Sequence, residues 1–118
     1  MTHPLDITDS LVTARAEFMR VDSPMEKRMD ACRTIRHKIL ALDLEIDPEL
    51  WERRYLIQVL QEAELCLQDM ENQRGIVEKE ALQNHKAGTT ANNLISFCRN
   101  HIFSMRQRSE IFAEPKAL

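Results

Sequence analysis

The sequence predicts an all-α fold, a helical bundle of about four helices with one long central helix. Three observations support this prediction. Two glycines and four prolines in 118 residues are too few for the turns of a β-rich chain. Hydrophobic residues make up 43% of the chain beside 30% charged residues, a balance typical of amphipathic helices. Apolar residues also recur at helical spacing, and the length suits one domain, residues 1–118.

The first predicted helix covers residues 7–21. Asp6 or Thr8 is a suitable N-cap, because its side-chain oxygen accepts a hydrogen bond from an unpaired backbone N–H. The apolar positions that follow share one helix face: Ile7, Leu11, Ala14 and Phe18.

The second predicted helix covers residues 24–45 and begins with a capping box. Ser23 precedes Pro24, which suits the first helical position, and Glu26 lies where its carboxylate reaches back to the serine N–H. Arg28 falls inside the apolar arc, so we expect its aliphatic part to be buried and its guanidinium to reach the end of the bundle.

The third predicted helix covers residues 48–87, with Asp47 as N-cap and Pro48 in the first turn. The short connection before it predicts that the second and third helices form an antiparallel hairpin. Arg33 and Arg36 then lie within reach of acidic residues such as Glu62.

A heptad seam is the main feature of this helix. Apolar residues alternate at spacings of four and three, interrupted by one arginine, and Gly75 beside that arginine marks a possible kink. Ile57 and Leu65 lie off the apolar arc, which favours partners on more than one side of the helix. The seam consists of Leu56, Leu60, Ala63, Leu67, Met70, Arg74, Val77 and Ala81.

The fourth predicted helix covers residues 90–113. Gly88 is suited to the turn that ends the helix before it, and Thr89 or Thr90 can cap the new one. Leu94, Cys98, Ile102, Met105 and Phe112 share its apolar face.

The third helix is long enough to extend beyond the second, so part of its seam should need cover from another polypeptide. Trp51, Arg54 and Tyr55 at its start are of the types that most often anchor protein interfaces, although they suit an aromatic plug at the bundle end equally well. We therefore predict a homodimer or a protein partner, bound through Trp51, Arg54, Tyr55, Leu56, Val59, Leu60, Ala63, Leu67 and Met70.

Catalytic and metal chemistry are not predicted. Cys98 and His101 offer half of a zinc site, but no second pair of that kind completes it. Glu62 begins an acidic cluster with Glu64, Asp69 and Glu71, which we interpret as a solvated face, because the Glu-x-x-His pattern of dimetal bundles is missing from the sequence. We predict that the chain is not an enzyme and uses no cofactor or metal.

Nucleic acid and membrane binding are not predicted either. The basic stretch 27–38 is diluted by acidic residues, and the chain carries a net charge of −3. No apolar run approaches the ~20 residues that cross a bilayer, and the first residues lack the apolar segment of a signal peptide. Three widely spaced cysteines indicate reduced, buried thiols. We expect a cytoplasmic protein.

In its size and helical layout the chain resembles the QslA-type antiactivators, small all-helical proteins that inhibit LuxR-type quorum-sensing regulators. The resemblance implies that the chain binds the ligand-binding domain of such a transcriptional activator, covers its dimerisation surface and so prevents DNA binding. The alternative prediction is a small helical secretion or assembly chaperone, which would bind an amphipathic helix of its client protein.

Overall fold

The computed structural model describes the backbone of residues 3–113 and the side chains of residues 3–110. It confirms the all-α helical bundle, although the described residues form five helices in place of four. These are α1 (Pro4–Phe18), α2 (Met25–Glu45), α3 (Arg53–Asn72), α4 (Arg74–Asn84) and α5 (Ala91–Ala113).

Helix α1 begins at Pro4, before the predicted start at residue 7. Its N-cap is His3, whose Nδ1 accepts a hydrogen bond of 3.1 Å from the backbone N–H two residues later. Thr8 is not a cap, because its hydroxyl donates to the Pro4 carbonyl within the helix. Proline at the helix start needs no partner for an N–H, which explains the earlier beginning.

The end of α1 and the start of α2 are held together by side chains. Arg28 is buried, and its Nε donates to the Phe18 carbonyl at 2.8 Å, so it satisfies one of the last carbonyls of α1. The predicted capping box is not formed, since the Ser23 hydroxyl donates to the Glu17 carboxylate at 2.9 Å. Helix α2 nevertheless has nearly the predicted bounds.

Asp47 begins a single turn and not the long helix that the sequence predicts. Its carboxylate accepts hydrogen bonds from the N–H groups of Glu49 and Leu50, and its carbonyl accepts from the N–H of Trp51. Trp51 is buried beneath this turn, and α3 begins only at Arg53.

The long predicted helix is divided at Gln73, whose backbone leaves the helical region at φ −113° and ψ 45°. The kink that Gly75 suggested therefore becomes a break two residues earlier. Helix α4 packs against α2 and α5 after the break.

Helix α4 ends at Asn84 with His85 as its C-cap, three residues before the predicted end, so Gly88 does not end the helix. Gly88 takes a positive φ of 91° in the loop that follows, before Thr90, which caps α5 through its contacts with Asn93.

The predicted hairpin of the second and third helices is not the main packing arrangement. Helix α2 packs on α1, α4 and α5, whereas α3 packs on α1 and α5 and has little contact with α2. The turn containing buried Trp51 separates the end of α2 from the start of α3. Accordingly Glu62 accepts a 2.8 Å hydrogen bond from Arg15 of α1, and not from Arg33 or Arg36.

Within the described part of the chain, every helix falls short of the combined length and hydropathy that a membrane-spanning helix requires.

Candidate functional site

The heptad seam lies in the core of the subunit. Helices α1 and α5 pack on its α3 part, and α2 and α5 pack on its α4 part. The described helices are all 11 to 23 residues long, so none of them is a long spine that extends beyond its neighbours. The prediction that another polypeptide covers the seam is therefore wrong for this surface. Leu67 is half-buried against the core, and the remaining predicted contact residues of the seam region are buried: Leu56, Val59, Leu60, Ala63 and Met70.

The three residues predicted as interface anchors at the start of the third helix lie in different environments. Trp51 is buried with the core, as an aromatic plug would be. Arg54 is exposed and lies over the ring of Tyr55, with 4.5 Å between its Cζ and the ring centroid. The half-buried Tyr55 ring also meets the ring of His3 edge-on at 5.1 Å, which joins the starts of α1 and α3.

A different surface carries exposed apolar side chains on two neighbouring helices. Ile57 and Leu65 of α3 are 41% and 40% exposed, and Phe103 of α5 is 61% exposed. Exposed isoleucine or leucine is common, but an aromatic ring that is mostly in solvent is a typical anchor of protein contacts. We call this surface the α3–α5 face.

Ion pairs between the two helices cross the α3–α5 face. Arg106 donates to Glu64 at 2.7 Å, and Arg99 pairs with Glu71. Phe103 lies four residues after Arg99 and three before Arg106, so all three share one side of α5. The aromatic ring therefore lies between two ion pairs, in each of which the arginine and the glutamate neutralise each other.

A groove of about 250 Å³ opens at one end of the same face. Its apolar lining comes from Leu56, Ile57 and Leu60, and Arg53 and Glu110 are among its polar residues. Such a groove has room for one large side chain of a bound partner.

The predicted acidic cluster is a solvated face only in part, since two of its four carboxylates are largely buried. Glu62 and Asp69 both bind Arg15, at 2.8 and 3.2 Å. The hydrogen bond that Arg15 donates to Glu62 and the charge of both carboxylates raise the pKa of the Arg15 guanidinium. The other two members, Glu64 and Glu71, are the acidic halves of the ion pairs on the α3–α5 face.

Cys98 and His101 do not lie together as metal ligands. The Cys98 thiol is fully buried in the core, whereas Nδ1 of His101 contacts the Asp43 carboxylate, which also binds Arg108. Among residues 3–113 there is no group of three histidine, cysteine or acidic side chains placed to hold a metal ion.

The surroundings of the three thiols disfavour their reactive thiolate form. Burial raises the pKa of Cys32 and of Cys98 to about 12, and it also raises the pKa of Cys66. The Cys66 thiol lies 3.9 Å from the Leu11 carbonyl. Because thiolate is the reactive form, none of these groups is a ready nucleophile at neutral pH.

The most exposed aromatic residue of the α3–α5 face was missed by sequence reasoning. Phe103 lies off the apolar stripe of the last helix, beside Ile102, and a large ring in that position was the available signal. Ile57 and Leu65 were recognised as apolar positions off the arc of their helix, but their pairing with Phe103 depends on which helix lies beside α3.

Comparisons with protein-family models, with curated proteins and with solved structures find no significant match to this chain.

Proposed function

We propose that this chain is a non-catalytic regulator that acts by binding another protein, an antiactivator that sequesters a transcriptional activator. The observation that carries the proposal is Phe103, an aromatic side chain 61% exposed at the centre of the α3–α5 face. Aromatic residues exposed among apolar neighbours and rimmed by charged groups are characteristic of protein-binding surfaces.

The proposed target is a LuxR-type quorum-sensing activator, on the basis of the resemblance in size and helical layout to QslA-type antiactivators. In this mechanism the α3–α5 face covers the surface through which the activator dimerises. The activator then has no stable two-fold arrangement with which to contact both halves of its DNA site, so it leaves the DNA. The chain itself need not contact DNA.

The experiment measures binding and its consequence together. The full chain is titrated into the ligand-binding domain of each LuxR-type activator encoded in the source genome, and binding is followed by calorimetry. A mobility-shift assay with the full activator and its DNA then reports release. We expect micromolar or tighter binding, accompanied by loss of the shifted band.

Matched variants locate the binding surface. Phe103→Asp should weaken binding at least tenfold, because it places an unpaired charge in the contact. Leu82→Asp is the control, since Leu82 is 71% exposed but lies on α4, outside the α3–α5 face. Failure of the unaltered chain to bind every activator tested, or equal binding by both variants, would contradict the proposal.

The groove at the end of the face favours a second candidate, a secretion or assembly chaperone. Its apolar lining, Leu56, Ile57 and Leu60, is suited to an anchoring side chain from an amphipathic client helix. Affinity purification from the native host separates the two candidates. An antiactivator retains a transcription factor, whereas a chaperone retains a secreted or structural subunit, in each case with loss on Phe103→Asp.

A further inference from the structure

We infer that the α3–α5 face pairs with a second copy of the chain about a two-fold axis parallel to the helices, so that α3 of each copy faces α5 of the other. The inference rests on the proposed function in one respect, since it takes the same face as the contact surface. It adds the orientation of the pair and predicts that the second copy competes with the target.

The ion pairs define how charge is arranged on this face. Glu64 pairs with Arg106, and Glu71 pairs with Arg99. Residue numbers therefore increase by seven along α3 while they decrease by seven along α5. The two helices therefore run antiparallel, side by side. At both of these levels the α3 edge is acidic and the α5 edge is basic.

The end of the face carries one further charge of each sign. Arg53 of α3 and Glu110 of α5 line the same groove at the end of the face. Three basic and three acidic residues thus give the face no net charge, although the whole chain carries −3. A neutral face can approach its own copy without the repulsion that the rest of the chain would impose.

The sign pattern selects one of two possible two-fold arrangements. An axis across the helices would place α3 against its own copy and bring acidic edge to acidic edge. With an axis along the helices, each residue stays at the same height in both copies. The α3 edge of one copy then faces the α5 edge of the other. Glu64 then lies opposite the partner's Arg106, and Glu71 opposite the partner's Arg99. Opposite charges face each other at both of these levels, which favours this pairing.

The apolar residues agree with this orientation. Phe103 lies between the levels of Arg99 and Arg106, so in the pair it meets α3 of the other copy between Glu64 and Glu71. Leu65 of the partner subunit lies in that interval. Each Phe103 ring would thereby be buried against Leu65 of the partner subunit, and the two contacts are identical by symmetry.

Sedimentation velocity of the full chain tests whether the pair forms on this face. We expect a concentration-dependent dimer that Phe103→Asp converts to a monomer and Leu82→Asp leaves unchanged, with both variants retaining the helical circular dichroism of the parent. A chain that stays monomeric at millimolar concentration, or a Phe103→Asp variant that stays dimeric, would overturn the inference.

Charge reversal tests the pairing of the edges. Glu64→Arg alone should weaken the dimer about tenfold, because it places like charges opposite each other at one level. Adding Arg106→Glu restores opposite charges within and between copies, so the double variant should recover the dimer. A double variant no better than the single one would contradict the arrangement.

Cross-linking tests the orientation directly. Gln61→Cys on α3 and Gln107→Cys on α5 introduce exposed thiols at similar heights, and the native thiols are buried. A short bismaleimide should join the two variants in a mixture much faster than it joins either variant to itself. Preferential self-joining of Gln61→Cys would show α3 against α3 and overturn the inference.

These outcomes are independent of the test of the proposed function. A dimer with the expected cross-link that binds no activator would contradict the antiactivator proposal alone. A monomer that captures an activator through Phe103 would contradict self-pairing alone.

Discussion

The fully buried carboxylate of Glu80 on α4 accepts a 2.9 Å hydrogen bond from Nε of Arg33 on α2. Its other oxygen contacts Nε2 of His85 at 2.8 Å and lies 3.7 Å from Nη2 of Arg36. This cluster joins α4 to α2, and it forms only because the chain breaks at Gln73 and redirects α4.

Glu80→Ala should destabilise the protein by about 3–5 kcal/mol, because it leaves two arginines without their buried counter-charge. Arginine is charged at neutral pH even without an acidic partner, so both guanidinium groups remain charged after the substitution. Urea unfolding measures the loss. Asp22→Ala, which removes an ion pair with Arg20 that is 75% exposed on its acidic side, is the control and should cost no more than about 1 kcal/mol. Equal losses in the free energy of unfolding would show that the Glu80 cluster stabilises the fold no more than an exposed ion pair does.

Met70→Ala should cost about 2–5 kcal/mol in the free energy of unfolding, because this seam residue is fully buried within the subunit. Leu82→Ala on α4, at a position 71% exposed and outside the α3–α5 face, should change it by roughly 0.5 kcal/mol or less. Chemical unfolding of both variants at several protein concentrations checks the contrast. A Met70→Ala variant with native stability and weakened self-association would show that the seam is a contact surface and is not buried within the subunit.

The stability of the protein should fall as the pH rises above about 9. The folded state holds the pKa of Cys32 and Cys98 at about 12, well above that of a thiol in an unfolded chain. Between those values the unfolded state has released thiol protons that the native state retains, so the free energy of unfolding decreases with increasing pH. Below about pH 8 both states keep these protons, and the thiols contribute no slope.

Urea unfolding between pH 7.5 and 10.5 measures that slope, and replacing Cys32 and Cys98 by alanine supplies the control. The double variant should be less stable at neutral pH but should show a shallower alkaline decline. An unchanged slope would contradict the assignment of the decline to these two thiols.

The two glycines should respond to alanine in opposite directions. Gly88 has a φ of 91°, which strains a residue with a Cβ, so Gly88→Ala should lose about 1–2 kcal/mol. Gly75 lies within α4, and an added Cβ meets no atom within 4 Å, so Gly75→Ala should gain about 0.4–1 kcal/mol. Thermal unfolding of the two variants checks the signs, and a destabilised Gly75→Ala would imply that the break at Gln73 needs the glycine.

Local signals in the sequence predicted the helices but not all of their ends. The bounds of α2 and the Thr90 cap of α5 follow from residues adjacent in sequence. The Asp47 cap was also recognised correctly as a start, but one turn after it the chain bends around Trp51 before α3 begins. A heptad pattern that continues past Gln73 concealed the break there, because Val77 and Ala81 on α4 are buried like Leu60 on α3. Both helices pack on α5, but α4 packs also on α2, whereas α3 packs also on α1.

The contact residues were predicted less well, for a related reason. The seam identified the apolar side of α3 correctly, but periodicity does not distinguish a side buried by the same chain from one buried by another. Arg15 illustrates the same limit, since its two acidic partners lie 47 and 54 residues away and nothing local connects them.

By itself the sequence determined that this protein is helical, which faces of the helices are apolar, and where α2 and α5 begin. These properties depend on side chains within one or two turns of each other, whose spacing can be read along the chain. The tertiary structure alone decided that the seam is internal, that Glu80 joins α4 to α2, and that Phe103 shares a surface with Ile57 and Leu65. Each of these depends on which helices are neighbours, and that choice comes from the packing of the whole chain.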